Sequence, residues 1–455
     1  MILGPWTPPY QLDIEKTLEF TSEDINWVLI VYNITFAASL LVGGQLGQKF
    51  GLEKIFISGA AILAISNIIN TVAPNKGTLL AGRTISGIGA GLTAPNGLAI
   101  LNTAFPDGMA RNKALAIYTA CAPLGSTIGT VIGSLLSSSS AGWRSIFWLC
   151  LIFTAMALVL ACLFLPSFDK KGDVRIDIVG SLVFVTGIVL LVYGLNDSSR
   201  IGWSSAPVLV GIILGICLLG VFVFIEIKIV INPCIPHYVW KNLPFFFMLF
   251  VIFAFGGSFS SWFFISTQLC VNRLGYTTIL TAVYILPAAF SAIVSGMLST
   301  QMIKFTGEKV TLVIGLAITA AGAVAWTFAS PELAGRTDHH SGYWYIIVAS
   351  IIFVCGSPPA MVPAQSILLR QVDAKDSAVA GALFNTAYQI GASVLLAGAN
   401  TFMNGNQKSL LAGVIGAAAI IVAVFYWPQR VKQPEGLIEE AIADEKEMQE
   451  LKVKR

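Results

Sequence analysis

Charge is scarce in this chain. Asp, Glu, Lys and Arg make up 11% of its 455 residues, where a soluble globular protein carries about 25%. The apolar fraction of 56% exceeds what a single core of this length needs, so a soluble multidomain enzyme is not the expectation. The net charge is only +3 and the Lys and Arg residues are scattered, which excludes the clustered basic face of a nucleic-acid binder. Histidine is nearly missing. His237 stands in a connector, and His339 with His340 in the most polar loop; that pair, even with Asp338, lacks the further ligands of a closed metal site. The seven cysteines occur singly, without Cys-x-x-Cys spacing, so neither a disulfide framework nor a metal centre is expected. No apolar stretch places a nucleophile beside a base or a set of ligands, and neither enzymatic activity nor a cofactor is anticipated. Asp and Glu are absent from the middle of the apolar stretches; Asp177 and Glu226 stand at their ends.

What is present instead is uninterrupted apolar sequence. Ile25 to Leu46 and Ala206 to Ile225 contain no ionisable side chain, and about 20 such residues cross the hydrocarbon of a bilayer as a helix. A helix satisfies every backbone amide within its own segment, which lipid demands. Thirteen spans are expected, at 25–46, 54–73, 78–101, 114–136, 145–166, 177–195, 206–226, 244–268, 278–301, 309–329, 343–369, 378–402 and 409–427. Alternate connectors differ in basic content. One set holds thirteen Lys and Arg residues, among them Lys49, Lys54, Lys304 and Lys309, and the other holds six. The richer set faces the cytoplasm by the positive-inside rule, and with it the tail from Pro428. Met1 to Phe20 has acids, prolines and no apolar run of a secretory leader. Asn196-Asp197-Ser198 spells a glycosylation sequon in a short outer loop. The tail from Leu437 to Arg455 is rich in Glu and Lys with one apolar stripe, which reads as a cytosolic surface helix, with a partner-binding or trafficking helix as the alternative.

The chain also echoes itself. Lys49-Phe50-Gly51-Leu52-Glu53-Lys54 returns as Lys304-Phe305-Thr306-Gly307-Glu308-Lys309, each joining two apolar spans. Duplicated halves with a substrate site between them near the midplane are one architecture of secondary transporters. If the hexads correspond, the span at 244–268 needs a counterpart that begins before Met1. Met1 to Tyr10, with Pro5, Pro8 and Pro9, cannot complete a bilayer-length helix. The expectation is therefore a chain lacking its first membrane helix: 1–166 an incomplete N-terminal half, 167–243 two linker helices, 244–427 a six-helix C-terminal half, and 428–455 a cytoplasmic tail.

With these residues in view, the chain resembles the major facilitator superfamily, in its fourteen-span drug:proton antiporter branch. Gly44 to Gly51 is similar to the family's loop between helices two and three. Leu79, Arg83, Gly87, Gly89 and Ala90 resemble its motif on helix four, and Gly125, Gly129 and Gly133 its antiporter motif on helix five. Asp177-x-x-Gly180 through Gly202-Trp203 looks like the two extra spans of this branch. Ala94-Pro95-Asn96-Gly97 with the Phe105-Pro106 loop is most similar to the fungal aminotriazole-resistance-like and low-affinity ammonium transporter-like subgroup. The resemblance implies an all-α polytopic fold with two six-helix halves and two intervening helices, in the plasma membrane, moving a small molecule or ion with protons as possible co-substrate, as a monomer. Where the family carries an acid this chain has Gln48, and Thr130 and Ser134 replace the proline and final glycine of the helix-five motif.

The residues carry physical readings of their own. Arg83 is the basic residue deepest in a span, where a charge costs about 2.5–3.5 kcal/mol on insertion scales and turns toward a wet cavity or toward backbone carbonyls. Glycines every fourth residue at 125, 129 and 133 form a groove for a neighbouring helix. Lys49 and Glu53, echoed by Lys304 and Glu308 and turned by Gly44 and Gly51, are candidates for a latch that breaks as the halves rock, or for a solvated loop. Neutral cavity candidates are Asn33, Asn96, Trp262, Gln268, Gln365, Asn385, Tyr388 and Gln389, each of which is equally a candidate for helix-to-helix hydrogen bonding. The expected function is transport by alternating access, as efflux of drug-like compounds by proton antiport. Uptake or facilitated passage of a small solute such as ammonium or borate stays open because no acid lies mid-span, as does a transporter-like sensor or inactive remnant.

Overall fold

In a computed structural model the described residues of the protein form helices and their connectors. The structure describes residues 14, 17–20, 25, 27–105, 108–137, 142–167, 177–230, 233–268, 270, 278–327, 341–373 and 376–402. Among them there is no strand. The helices are α1 (Trp27–Phe50), α2 (Leu52–Val72), α3 (Lys76–Ala104), α4 (Met109–Ser137), α5 (Arg144–Phe164), α6 (Ile178–Ile201), α7 (Ala206–Lys228), α8 (His237–Trp240), α9 (Leu243–Gln268), α10 (Thr278–Thr327), α11 (Ser341–Cys355), α12 (Ser357–Arg370) and α13 (Ser377–Phe402). Twelve of the thirteen expected spans fall on these helices; the span at 409–427 and the tail lie outside the described residues.

Nine helical stretches among the described residues are long and apolar enough to cross a membrane. The protein is thus an integral membrane protein built of helices. One of the nine, Val283–Trp326, lies in α10, whose 50 residues break at Gly307 (φ 83°, ψ 163°). At about 1.5 Å per residue, α10 exceeds twice the hydrocarbon thickness, so it crosses twice. Gly51 (φ 107°) makes the equivalent break between α1 and α2. Both breaks use a left-handed backbone that glycine adopts without a Cβ clash. The glycine stands third in the first hexad and fourth in the second, so the echo is offset by one residue at its turn. α3 is shielded from lipid by its neighbours, whereas α5 carries an exposed apolar face that includes Phe164, 76% exposed.

Contacts group most of the helices into two bundles. In one, α3 wedges between α1 and α2, and α2 lies on α5; in the other, α10 packs on α11 and α12, and α9 on α13. α4 bridges them, following the first bundle in sequence but packing mainly on α10 and α12. α6 and α7 pair with each other, and α6 also touches α1 and α13. Small residues set these approaches. A methyl group placed at Gly87 of α3 would lie 2.6 Å from the Tyr32 carbonyl oxygen and 2.9 Å from the Phe36 nitrogen of α1. One at Gly91 would lie 3.0 Å from the Phe36 oxygen, and one at Gly89, on the other side of α3, 2.9 Å from the Gly59 oxygen of α2. In lipid there is no hydrophobic drive between helices, so such backbone approach supplies the packing energy. α6 and α7 cross the same way, with the Gly215 position 2.7 Å from the Leu191 nitrogen.

Two local features differ from the sequence expectation. The Asn196-Asp197-Ser198 sequon lies inside α6, which runs on to Ile201, and Asn196 Nδ2 donates to the Val192 oxygen at 2.8 Å. Asp197 and Ser198 are buried there, so the acceptor site is helical rather than looped. The span at 343–369 is two helices joined at Gly356, and Pro358 and Pro359 occupy the first turn of α12, where their missing amides leave no orphan. Pro363 lies within α12.

Gly87→Ala is expected to destabilise the purified protein in detergent by about 1–3 kcal/mol, because backbone on α1 cannot yield. A methyl at Gly125 meets nothing within 4 Å among the described residues, so Gly125→Ala is expected to leave the melting temperature unchanged or raise it, helix propensity favouring alanine. Equal melting temperatures for Gly87→Ala and the parent would refute this account of the α1–α3 seam.

Candidate functional site

Arg83 projects from α3 two turns after the helix start, where Asn75 caps by accepting the Thr78 amide at 2.9 Å. Its guanidinium is 3% exposed. Nε donates to the Val28 carbonyl oxygen of α1 at 3.0 Å, and the guanidinium carbon stands 4.5 Å from the centre of the Tyr32 ring. A desolvated cation over an aromatic face is worth about 2 kcal/mol. The charge is therefore tied to α1 by a carbonyl and a ring.

About three and a half turns further along α3, Asn96 does the same work. Its Nδ2 donates to the Gly43 oxygen of α1 at 2.9 Å and to the Leu92 oxygen at 2.7 Å. Its Oδ1, buried and without a partner, occupies the space that a side chain at Gly47 would need. Asn96 thus cross-links α1 and α3.

The two bundles meet along another face of α1. A methyl at Gly44 would lie 2.9 Å from the Ala378 oxygen of α13, and one at Gly381 2.9 Å from the Pro95 oxygen of α3. Gln48 Nε2 donates to Asp376 Oδ1 at 3.2 Å, just ahead of α13. On the α4 side, Thr119 Oγ1 donates to Gln365 Oε1 of α12 at 3.3 Å, and the Gly296 position of α10 lies 3.6 Å from the Ala116 oxygen. All of these contacts lie toward the end of the molecule that carries Gly51 and Gly307. Toward the other end, the same faces of α1 and α13 present Asn33, Asn385, Tyr388 and Gln389, all half-buried. Asn385 Nδ2 bonds its own helix at the Gly381 oxygen, 2.8 Å away, and Tyr388 bonds Ser260 of α9. The Tyr388 ring lies against Gly256 of α9, within its own bundle, and none of the four groups carries a formal charge.

The loop residues divide by bundle. Ser167 Oγ donates to Glu53 Oε1 at 2.9 Å, and Lys49 Nζ stands 5.5 Å from the Phe50 ring. In the second hexad Lys304 Nζ stands 5.9 Å from the Phe305 ring, while Glu308 pairs with Arg370 and accepts Ser366 Oγ at 2.8 Å. Each acid is thus fastened within its own side of the molecule. Trp262 lies deep in the second bundle, stacked at 4.7 Å and 18° on Phe353, with its indole N–H buried and unpaired. Gly129 and Gly133 are buried on α4. Gln268 ends α9, and its side chain lies outside the described residues.

Sequence reasoning missed three groups. Asp376 is 2% exposed, and the Asp-Ser pair that opens α13 is a recognisable helix-start signal. Tyr238, in the connector helix α8, donates its hydroxyl to Asp376 Oδ2 at 2.9 Å; burial, ahead of the neighbouring acids, pushes its phenol above the usual range. The third group joins Asp177, Glu226 and Cys234, whose ligand atoms lie within 4.8 Å of one another. Glu226 accepts the Cys234 and Ile235 amides at 3.1 and 3.0 Å, and Asp177 accepts the Gly180 amide at 2.9 Å. Burial, then Glu226, holds the Cys234 thiol well above its ordinary range. With backbone amides on both oxygens of Glu226, this cluster closes the α6–α7 pair at its base, and Gln45 of α1 reaches it through Ser181 at 3.1 Å.

Comparison with known proteins places this geometry. The model of the Major Facilitator Superfamily matches residues 3–396. The chain is 64% identical over 448 residues to the major facilitator superfamily multidrug transporter mfsC of Aspergillus fumigatus, covering 95% of this chain and 85% of that protein. It is 27% identical over 426 residues to the cephamycin export protein CmcT of Amycolatopsis lactamdurans, covering 90% and 84%. Among solved structures it is similar in fold to the proton:xylose symporter XylE, with a TM-score of 0.63, 13% identity and coverage of 94% and 92%. The human organic anion transporter MFSD10 gives 0.61, 14%, 88% and 84%.

The Gly47–Asn96 contact generates a coupled prediction. Gly47→Ala is expected to destabilise the protein, and Gly47→Ala with Asn96→Ala to be less destabilised than the two single effects sum to, by about 0.5–3 kcal/mol. Additive melting shifts in the double-mutant cycle would contradict the contact.

Proposed function

Because this chain belongs to the major facilitator superfamily, we propose that it exports small organic compounds by alternating access, the two bundles acting as halves that rock about a site between them. The observation that carries the reading is the position of the contacts between bundles. Gly44 with Ala378, Gln48 with Asp376 and Thr119 with Gln365 close the end bearing Gly51 and Gly307. Half-buried neutral groups line the faces beyond it. In this reading that end is cytoplasmic, the closed contacts mark the outward-facing state, and residues 1–166 and 244–427 form the two halves around the linker pair of 167–243. Relatives named as a multidrug transporter and a cephamycin export protein support efflux as the direction.

The substrate class follows from the lining. Asn33, Asn385, Tyr388 and Gln389 offer hydrogen bonds and a ring but no formal charge, which suits neutral or weakly charged amphipathic molecules. Arg83 acts at one remove, fixing α1 to α3 so that the first half moves as one body. Proton antiport is the coupling proposed. The buried acids Asp177, Glu226 and Asp376 lie at span ends, so coupling would run through the closing end rather than through a mid-span carboxylate. Placement in the plasma membrane with a cytoplasmic C-terminus, and a monomeric working unit, complete the proposal.

Reconstituted into vesicles, the full chain is expected to move a fluorescent amphipathic probe against its gradient when a pH gradient is imposed, and to stop when the gradient is collapsed. Transport that ignores the pH gradient would replace antiport with facilitated passage, and no transport of any probe would remove the efflux reading. Arg83→Ala is expected to lower flux by about tenfold or more, since a buried charged hydrogen bond worth roughly 1.5–3 kcal/mol is lost; unchanged flux would show that this residue is dispensable.

A further inference from the structure

Three segments of the chain converge on one carboxylate. Asp376 sits immediately before α13, where the positive end of the helix dipole favours an anion. Its Oδ1 accepts Gln48 Nε2 of α1 at 3.2 Å, and its Oδ2 accepts the Tyr238 hydroxyl of α8 at 2.9 Å. The Tyr238 oxygen in turn accepts the Asp373 amide at 3.1 Å. One turn before Gln48, Gly44 brings the α1 backbone against Ala378, so the polar contact sits at the tightest approach between the bundles. Asp376 is 2% and Gln48 8% exposed. Hydrogen bonds to an ionised acceptor in such a setting are about twice as strong as neutral ones.

We propose that Asp376 is the acid that fastens the closing end of this transporter, that the amide of Gln48 is its matched partner across the bundles, and that Tyr238 is a positioning residue aiming the carboxylate. The proposal rests on the alternating-access reading. The physical reason for an amide at position 48 is the carboxylate opposite: an acid there would set two buried carboxylates about 3 Å apart, and like charges so close oppose each other's ionisation. The donor must therefore come from α1 and the charge from α13. Tyr238 extends the device. It lies on α8, between the α6–α7 pair and α9, so the two additional helices reach the fastening point through a single hydroxyl.

The test uses the full chain in lipid nanodiscs. Spin labels are placed through Phe50→Cys and Phe305→Cys, both at exposed positions beside the two glycine breaks, with the native Cys121, Cys162, Cys217 and Cys355 replaced by serine. Gln48→Glu and Asp376→Ala are each expected to raise the population of the wider label separation by about tenfold or more, the loss of a charged hydrogen bond. Gln48→Glu combined with Asp376→Asn, which exchanges the acid and the amide at constant side-chain length, is expected to restore the parent distribution. Tyr238→Phe is expected to give a smaller shift in the same direction, and none when added to Asp376→Ala. Should Gln48→Glu fail to fold, Asp376→Asn alone removes the charge at nearly constant shape and is expected to widen the separation. An unchanged distribution in Gln48→Glu and Asp376→Asn, or an exchange variant that stays open, would overturn the proposal. Because the readout is a distance, a parent protein that moves no probe would sink the transport reading without deciding this one.

Discussion

Everything in this molecule turns on how closely α1 can be approached from two sides. Gly43 and Gly47 face α3, and Gly44 between them faces α13. The first approach is locked by Asn96 bonding the Gly43 carbonyl and by Arg83 bonding that of Val28. The second approach carries a side-chain bond at its end, from Gln48 to Asp376. One helix therefore packs against its own bundle on one side and against the other bundle on the other. In a solvent without hydrophobic drive between helices, backbone proximity is the available source of cohesion, and it is also what a single methyl would abolish.

Charge is placed according to the same division. Arg83 is buried within one bundle and neutralised by a carbonyl and the face of Tyr32. Glu308 is paired with Arg370 inside the other. Asp376 is the buried acid that reaches from one bundle to the other. Asp177 and Glu226, closed over backbone amides, hold the base of the α6–α7 pair and touch α1 through Ser181 and Gln45.

Much of the architecture was legible beforehand because lipid imposes so strict a rule on the backbone. Twelve expected spans coincide with helices to within a few residues, and the repeated hexads do mark helix breaks. The misses are local. The sequon at Asn196 looked like a loop because polar residues end the apolar run, yet α6 continues through it with Asp197 and Ser198 turned inward. For Asn96 and Trp262 the sequence left a cavity role and a packing role both open; Asn96 bonds a neighbouring backbone and Trp262 stacks in a bundle core. Gln48 read only as a departure from the family's acid, because its partner lies 328 positions away in sequence and no local pattern couples them.

The sequence by itself determined that the chain is a set of membrane-crossing helices, where they start and stop, and that glycine breaks recur at Gly51 and Gly307. Those properties follow from hydrocarbon thickness and from backbone hydrogen bonds closed within each segment, both of them local. Only the tertiary structure decided which glycine faces which helix, that Asn96 bonds the backbone of α1, and that Asp376, Gln48 and Tyr238 meet at one point. Those depend on the rotation of each helix about its axis, which is fixed by packing against neighbours far along the chain.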